Sequence, residues 1–256
     1  MPNLVALTRE VSPGIALCEL THQPRVAIDL EKTRAQHRQY ERALEASGCS
    51  VRRLPAGPDM PDSVFIEDVA LVLDRIAIIT RPGADSRRVE CAGVEEALAP
   101  FRAIARIEPP GTMDGGDVLV VGRAIFIGIS SRTNDAAVEQ VRAHVSGLGY
   151  SVRAVRVSGC LHLKSAVTAA SDKVLLMNRT WAPSGAFTGF EIIDVDADEP
   201  NAANVVRIGS RLVYPAAFPK TRKRIEDRGF DITAVDMSEL AKAEGAVTCC
   251  SLVFEP

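Results

Sequence analysis

A cysteine pair, Cys249-Cys250, stands near the C-terminus at the head of the apolar run Leu252-Val253-Phe254, a few residues after Gly245. A thiol there can act as a nucleophile if it meets a proton carrier and a group that fixes the carrier's tautomer. Of the four histidines, His162 is the one flanked by leucines, while His22, His37 and His144 fall in helical or loop surroundings. Acids are available in Asp114-Gly115-Gly116-Asp117 and in Asp62, Glu67 and Asp68. Each has a blander alternative: adjacent cysteines are often buried filler, and Asp-Gly runs are often turns. No His-x-x-x-His or paired-cysteine spacing occurs, so a metal is not expected, and attack by a thiol with a histidine as proton carrier needs no cofactor.

Chemistry of this kind needs elements that bring residues about 190 positions apart to one place, and a repeat supplies them. Two β-branched runs joined by a tight turn recur from Asp68, from Asp117, near Ser165 and from Asn204, with turns at Asp74-Arg75, Gly122-Arg123, Ser171-Asp172 and Gly209-Ser210. Helices are expected after them over 86–98, 133–145 and 220–227. The spacings are 49, 48 and 39 residues, and a further 45 lands on Cys249. Such spacing marks modules set around an axis or along a solenoid. The last module has a first strand, Cys249 to Phe254, and the chain then stops. Its missing parts stand at the other end: a strand from Leu4 to Thr8, an amphipathic helix from Leu30 to Ala46 ending at Gly48, and a strand from Val51 to Leu54.

The expected fold class is therefore α/β: five ββαβ modules around a pseudo-fivefold axis, first strands innermost, both termini in one module, and residues 1–256 forming a single domain. An open α/β sheet is the alternative. With first strands converging, Asp62, Glu67, Asp68, Asp114, Asp117, His162, Asn201, Asn204 and Cys249 collect at one end of the axis.

Composition narrows the partners. With 30 Lys and Arg against 33 Asp and Glu, a net charge of −3 and no long basic run, nothing marks a nucleic-acid surface. Apolar segments such as Val69 to Ile79 are cut by charges well short of the ~18 residues of a membrane span. Six cysteines without a C-x-x-C pair, and an N-terminus without a signal pattern, predict free thiols in a cytoplasmic setting. The expected partner is a small molecule, with a homodimer as the candidate assembly.

Six stretches together resemble the dimethylarginine dimethylaminohydrolase family of guanidino-group-modifying, pentein-fold enzymes: Pro61-Asp-Ser-Val-Phe-Ile-Glu-Asp-Val-Ala, Ile79-Thr-Arg-Pro-Gly-Ala-Asp-Ser-Arg-Arg, Met113-Asp-Gly-Gly-Asp-Val-Leu, Ser131-Arg-Thr-Asn, Leu161-His-Leu-Lys-Ser and Thr248-Cys-Cys-Ser. The resemblance implies Cys249 as nucleophile, His162 as acid and base, and Asp114 as the orienting carboxylate. It implies that Asp62, Glu67 and Asp68 hold the guanidinium region, that Arg87 and Arg132 hold an amino-acid carboxylate, and that the loop with Ala16 and Leu17 is a lid that meets the substrate. The implied reaction is hydrolysis of methylated arginines to citrulline and a methylamine through a cysteine thiouronium. The residue types agree with it, since carboxylates pair with a guanidinium and an arginine fork pairs with a carboxylate. Arginine deiminase, amidinotransferase and a non-catalytic ring protein are the competing readings. Deiminases usually carry a helical insertion for which this chain has little room, and a binding protein has no need of Cys249, His162 and Asp114 at matching positions.

Overall fold

The computed structural model describes residues 4–256. Five three-stranded sheets follow one plan: a short first strand, a second strand antiparallel to it, and a third strand parallel to the second after a crossover. The first four are Ala70–Val72, Ile76–Ile79 and Ala103–Arg106; Val118–Val121, Ala124–Ile129 and Ser151–Arg156; Val167–Ala169, Val174–Met177 and Glu191–Asp194; and Val206–Ile208, Arg211–Pro215 and Asp231–Val235. The fifth joins the two ends of the chain. Leu252–Phe254 pairs antiparallel with Leu4–Arg9, which pairs parallel with Cys49–Leu54.

Alternation along the strands closes the ring. Val118, Ile125 and Ile127 pack toward the preceding module, whereas Leu119, Val121 and Phe126 pack toward the following one. The other modules do the same, so five buried clusters lie between neighbouring sheets, and each draws on two modules. The helix Leu30–Ala46 begins at Asp29, whose carboxylate accepts the Lys32 N–H, and buries Tyr40 and Leu44. It ends before Gly48, whose φ of 106° a side chain would resist. The first strands of all five modules line a central cavity of about 320 Å³, so they are innermost as expected.

Three expectations need correction. The third module has no crossover helix: Pro183 and Gly185 leave room for only a single 3-10 turn, Ser184–Phe187. The segment expected to be one helix over 86–98 is a 3-10 turn, Asp85–Glu90, followed by an α-helix, Cys91–Leu98. Cys249 does not begin a strand either. It lies in the 3-10 turn Thr248–Cys250, and the strand starts at Leu252.

Candidate active site

Short turns before the inner strands carry the polar residues to one end of the axis. Ile66–Val69 holds Glu67 and Asp68, and Thr248–Cys250 holds Cys249; Asp114 directly precedes the turn Gly115–Asp117, and His162 directly precedes Leu163–Ala166. The two glycines let these turns touch. A Cβ on Gly115 would lie 2.0 Å from the Glu67 carbonyl oxygen, and one on Gly116 would lie 2.5 Å from His162 Nδ1 and 2.8 Å from Asp68 Oδ1. Neither glycine is in the left-handed region. Close approach explains the Gly-Gly pair better than turn conformation does.

Cys249, His162, Asp62, Asp68, Arg87 and Arg132 all border one small pocket. His162 Nε2 is 3.0 Å from Asp114 Oδ2, and Nδ1 is 3.9 Å from Asp68 Oδ1. Burial opposes charge on this ring, yet Asp68, the hydrogen bond to Asp114 and Asp117 outweigh it and raise its pKa to about 9. Burial likewise pushes the Asp68 carboxyl up, but His162 and Arg87 hold it at about 2. For Cys249 burial and the charges of Glu67 and Asp68 act together, pushing the thiol up to about 12 against a 3.4 Å hydrogen bond from the Ala246 N–H. These shifts favour, at neutral pH, a neutral Cys249 thiol, a protonated His162 and an ionised Asp68.

Asp68, Asp114 and His162 each bring a ligand atom within 4.8 Å of the others, which is a possible geometry for a cation. The imidazolium and the Arg87 guanidinium, whose Nη1 is 2.6 Å from Asp68 Oδ2, already supply positive charge there.

The expected substrate contacts divide. Asp62 and Asp68 border the pocket, but the Glu67 carboxylate turns the opposite way, into the central cavity, where it meets Lys164 Nζ at 2.5 Å and the Thr248 hydroxyl at 2.8 Å. Arg87 is buried and fully engaged: it pairs with Asp68 and Glu90 and donates to the carbonyls of Asp62 and Phe65. It reaches the pocket while bracing Asp68. Arg132 Nη2 donates to Thr21 Oγ1 at 3.1 Å, and Nη1 stands 3.7 Å from Asp114. Leu17 is 75 % exposed and does not border the pocket. Asp117 is held by Ser130, Thr133 and the Leu163 N–H, so it braces the wall behind His162. Asn204 bonds to Thr248 and Lys164, and Asn201 lies in a neighbouring pocket.

Lys164, Glu19 and Glu244 escaped the sequence reading. The Glu19 N–H donates to both oxygens of Asp62, at 3.2 and 3.1 Å, and its carboxylate accepts from Ser86. Lys164 stands two residues after His162, a spacing that could have marked it.

A family model described as N,N dimethylarginine dimethylhydrolase, eukaryotic, matches residues 21–177. The N(G),N(G)-dimethylarginine dimethylaminohydrolase of Streptomyces coelicolor is 43 % identical over 256 residues, covering 98 % of this chain and 97 % of that protein. Among solved structures, a cysteine-to-serine variant of the Pseudomonas aeruginosa dimethylarginine dimethylaminohydrolase complexed with citrulline superposes with a TM-score of 0.93 at 36 % identity, covering 99 % of this chain and 100 % of that one. A histidine-to-glycine variant of a dimethylarginine dimethylaminohydrolase, as an adduct with S-methyl-L-thiocitrulline, gives a TM-score of 0.94 at 36 % identity over the same shares.

Proposed function

The chain belongs to the dimethylarginine dimethylaminohydrolase family, and from that membership we propose that it hydrolyses Nω-methylated arginines to citrulline and di- or monomethylamine. The observation that carries this reading is the joint presence, around one pocket, of the Cys249 thiol, the His162 imidazole bound to a carboxylate, the acids Asp62 and Asp68, and the arginines Arg87 and Arg132.

In the proposed mechanism the substrate guanidinium lies against Asp62 and Asp68, with its amino-acid carboxylate toward Arg132. Cys249 releases its proton to solvent, since the imidazolium cannot take it, and its sulfur bonds to the guanidino carbon, giving a neutral tetrahedral adduct. The C–N bond to the methylated nitrogen then breaks. His162, protonated and aligned by Asp114, gives that nitrogen the proton with which it leaves as a neutral amine. Water adds to the remaining thiouronium carbon and passes a proton to His162. The C–S bond breaks as the hydroxyl proton of the adduct passes to the sulfur, and citrulline and the starting thiol are regenerated.

All six cysteines are unpaired, which supports a reducing, cytoplasmic location. Among the described residues no helix is long and apolar enough to cross a membrane. Because every core cluster belongs to two modules, we further propose that residues 1–256 fold as one unit.

The direct test is incubation with asymmetric dimethylarginine, arginine and agmatine, followed by product analysis. Citrulline and dimethylamine in equal amounts, with arginine far slower, are expected. Faster ammonia release from arginine would favour the deiminase reading, and no turnover of any guanidine would overturn the proposal.

A further inference from the structure

The pocket around Cys249 encloses only about 20 Å³, whereas sites for small organic ligands run to about 300 Å³ or more. The loop over 18–25 contributes Glu19 to its wall, beside Ala243, Glu244 and Gly245. Glu19 meets Asp62 and Ser86, Thr21 meets Arg132, and Arg25 gathers the carbonyls of Ala16 and Cys18. One side chain outside the loop holds it more tightly than any of these. The Glu244 carboxylate accepts three successive backbone N–H groups: Thr21 at 3.2 and 3.1 Å, His22 at 2.5 Å and Gln23 at 2.6 Å. Consecutive amides converging on one anion form a strong, directional anion cradle.

The backbone of Glu244 makes this arrangement informative. Its N–H bonds to the Ala241 carbonyl, and the Gly245 N–H bonds to the Leu240 carbonyl, which is the double bond pattern of a Schellman helix end. Glu244 occupies the left-handed position of that motif, with φ 58°, the one non-glycine residue with positive φ among the described residues. Glycine is favoured there and a long side chain is strained. Gly245 is required for a separate reason, since a Cβ on it would lie 2.2 Å from Phe65. A strained glutamate at a place suited to glycine, with its carboxylate wholly engaged by the loop, marks a positioning function.

We propose that Glu244 is the latch of the 18–25 loop. By holding the loop down it sets Thr21 against Arg132 and the Glu19 N–H against Asp62, and so positions the groups that receive the two ends of a guanidino amino acid. Substrate entry breaks the latch, and closure remakes it. The kinetic part of this inference rests on the proposed function, whereas the latch itself does not.

Glu244→Gly separates the latch from the fold, because glycine relieves the strained φ while removing the carboxylate. Amide hydrogen exchange at Thr21, His22 and Gln23 should accelerate about tenfold or more, as for loss of charge-assisted bonds, with strand amides unchanged and Tm equal or higher. Glu244→Gln keeps one acceptor oxygen and should fall between the two. KM for dimethylarginine should rise about tenfold with kcat within about twofold. Unchanged exchange at 21–23 in folded Glu244→Gly overturns the latch, as does unchanged exchange in Glu244→Gln if the glycine variant does not fold. A fall in kcat at constant KM overturns the positioning function. If the parent protein turns over no guanidine, the reaction assignment fails while the exchange measurement still decides the latch.

Discussion

His162 Nε2 and Asp114 Oδ2 stand 3.0 Å apart, with both side chains buried and their positions 48 apart in sequence. The pair fixes the outer face of the imidazole and leaves the ring edge toward Asp68 and the pocket as the working side. Asp114→Asn keeps the shape but withdraws a charge, so the imidazolium should lose its proton at lower pH. General acid catalysis typically contributes about 10²- to 10⁴-fold, and Asp114→Asn should lose roughly the lower end of that range in kcat. The loss should be smaller for a substrate whose leaving group needs no proton. An equal loss for both substrates would assign Asp114 to architecture alone.

The same pair predicts a pH dependence of stability. His162 has a folded pKa of about 9 against the ordinary value of 6.5. Its contribution is therefore fully present below pH 6.5 and lost as pH rises through about 9. Urea unfolding of the parent protein should weaken between pH 6.5 and pH 9 by more than that of His162→Gln. Parallel curves would show that the ring is not held as an imidazolium.

Much of this arrangement was legible in the sequence, for identifiable reasons. The paired strands announce themselves because β-branched runs meet at Asp74-Arg75 and Gly122-Arg123, and the first helix because its pattern is amphipathic from Leu30 to Ala46 and Gly48 ends it. The directions of Glu67 and Asp68 were not legible. Neighbours in a 3-10 turn point to different sides, so Asp68 faces the pocket while Glu67 faces the central cavity with Lys164. The loop over 18–25 left no trace in periodicity either, since its anchor Glu244 lies 223 residues from Thr21 and acts on backbone amides that carry no residue signature.

The two adjacent cysteines should behave differently, and the 3-10 turn is the reason. Cys249 is partly exposed at the pocket, while Cys250 is fully buried with its thiol toward the Ala246 carbonyl at 3.6 Å. Cys249→Ser should abolish turnover with little change in Tm. Cys250→Ser should keep most of the turnover and cost about 1 kcal/mol or more of stability, since it buries a hydroxyl in an apolar cluster. Equal losses of activity in two folded variants would make the nucleophile assignment untenable.

Glu67 is buried between the central cavity and the turn that carries Cys249, and it pairs there with the partly exposed Lys164. Removing one partner of such a pair typically costs about 3 to 5 kcal/mol, so Lys164→Met should be strongly destabilising. Burial already raises the Glu67 carboxyl, with Lys164 opposing the rise. Without Lys164 the acid should take up a proton more readily, and the variant should regain stability as pH falls. Thermal melts of Lys164→Met at pH 5 and pH 8 check this, and a deficit that is the same at both would contradict it.

Cys249 must become a thiolate before it can attack. Its sulfur stands beside Glu67 and Asp68, and both its partial burial and those charges favour the neutral thiol, with a pKa of about 12. Lys164 opposes this only weakly, because Glu67 already pairs with it. The imidazolium of His162 is bound between Asp114 and Asp68, so its charge is largely answered by those carboxylates. A bound guanidinium would change the balance by placing a positive charge next to the sulfur and neutralising Asp62 and Asp68. Substrate binding should therefore drive ionisation of the nucleophile. Alkylation of Cys249 by a neutral reagent should be slow at pH 7 and rise toward high pH, whereas a cationic haloamidine should react readily near pH 7 and lose that advantage in Asp68→Asn. Neutral-reagent alkylation that is already complete in its titration below pH 7 would mean a preformed thiolate paired with His162, and substrate-assisted ionisation would be wrong.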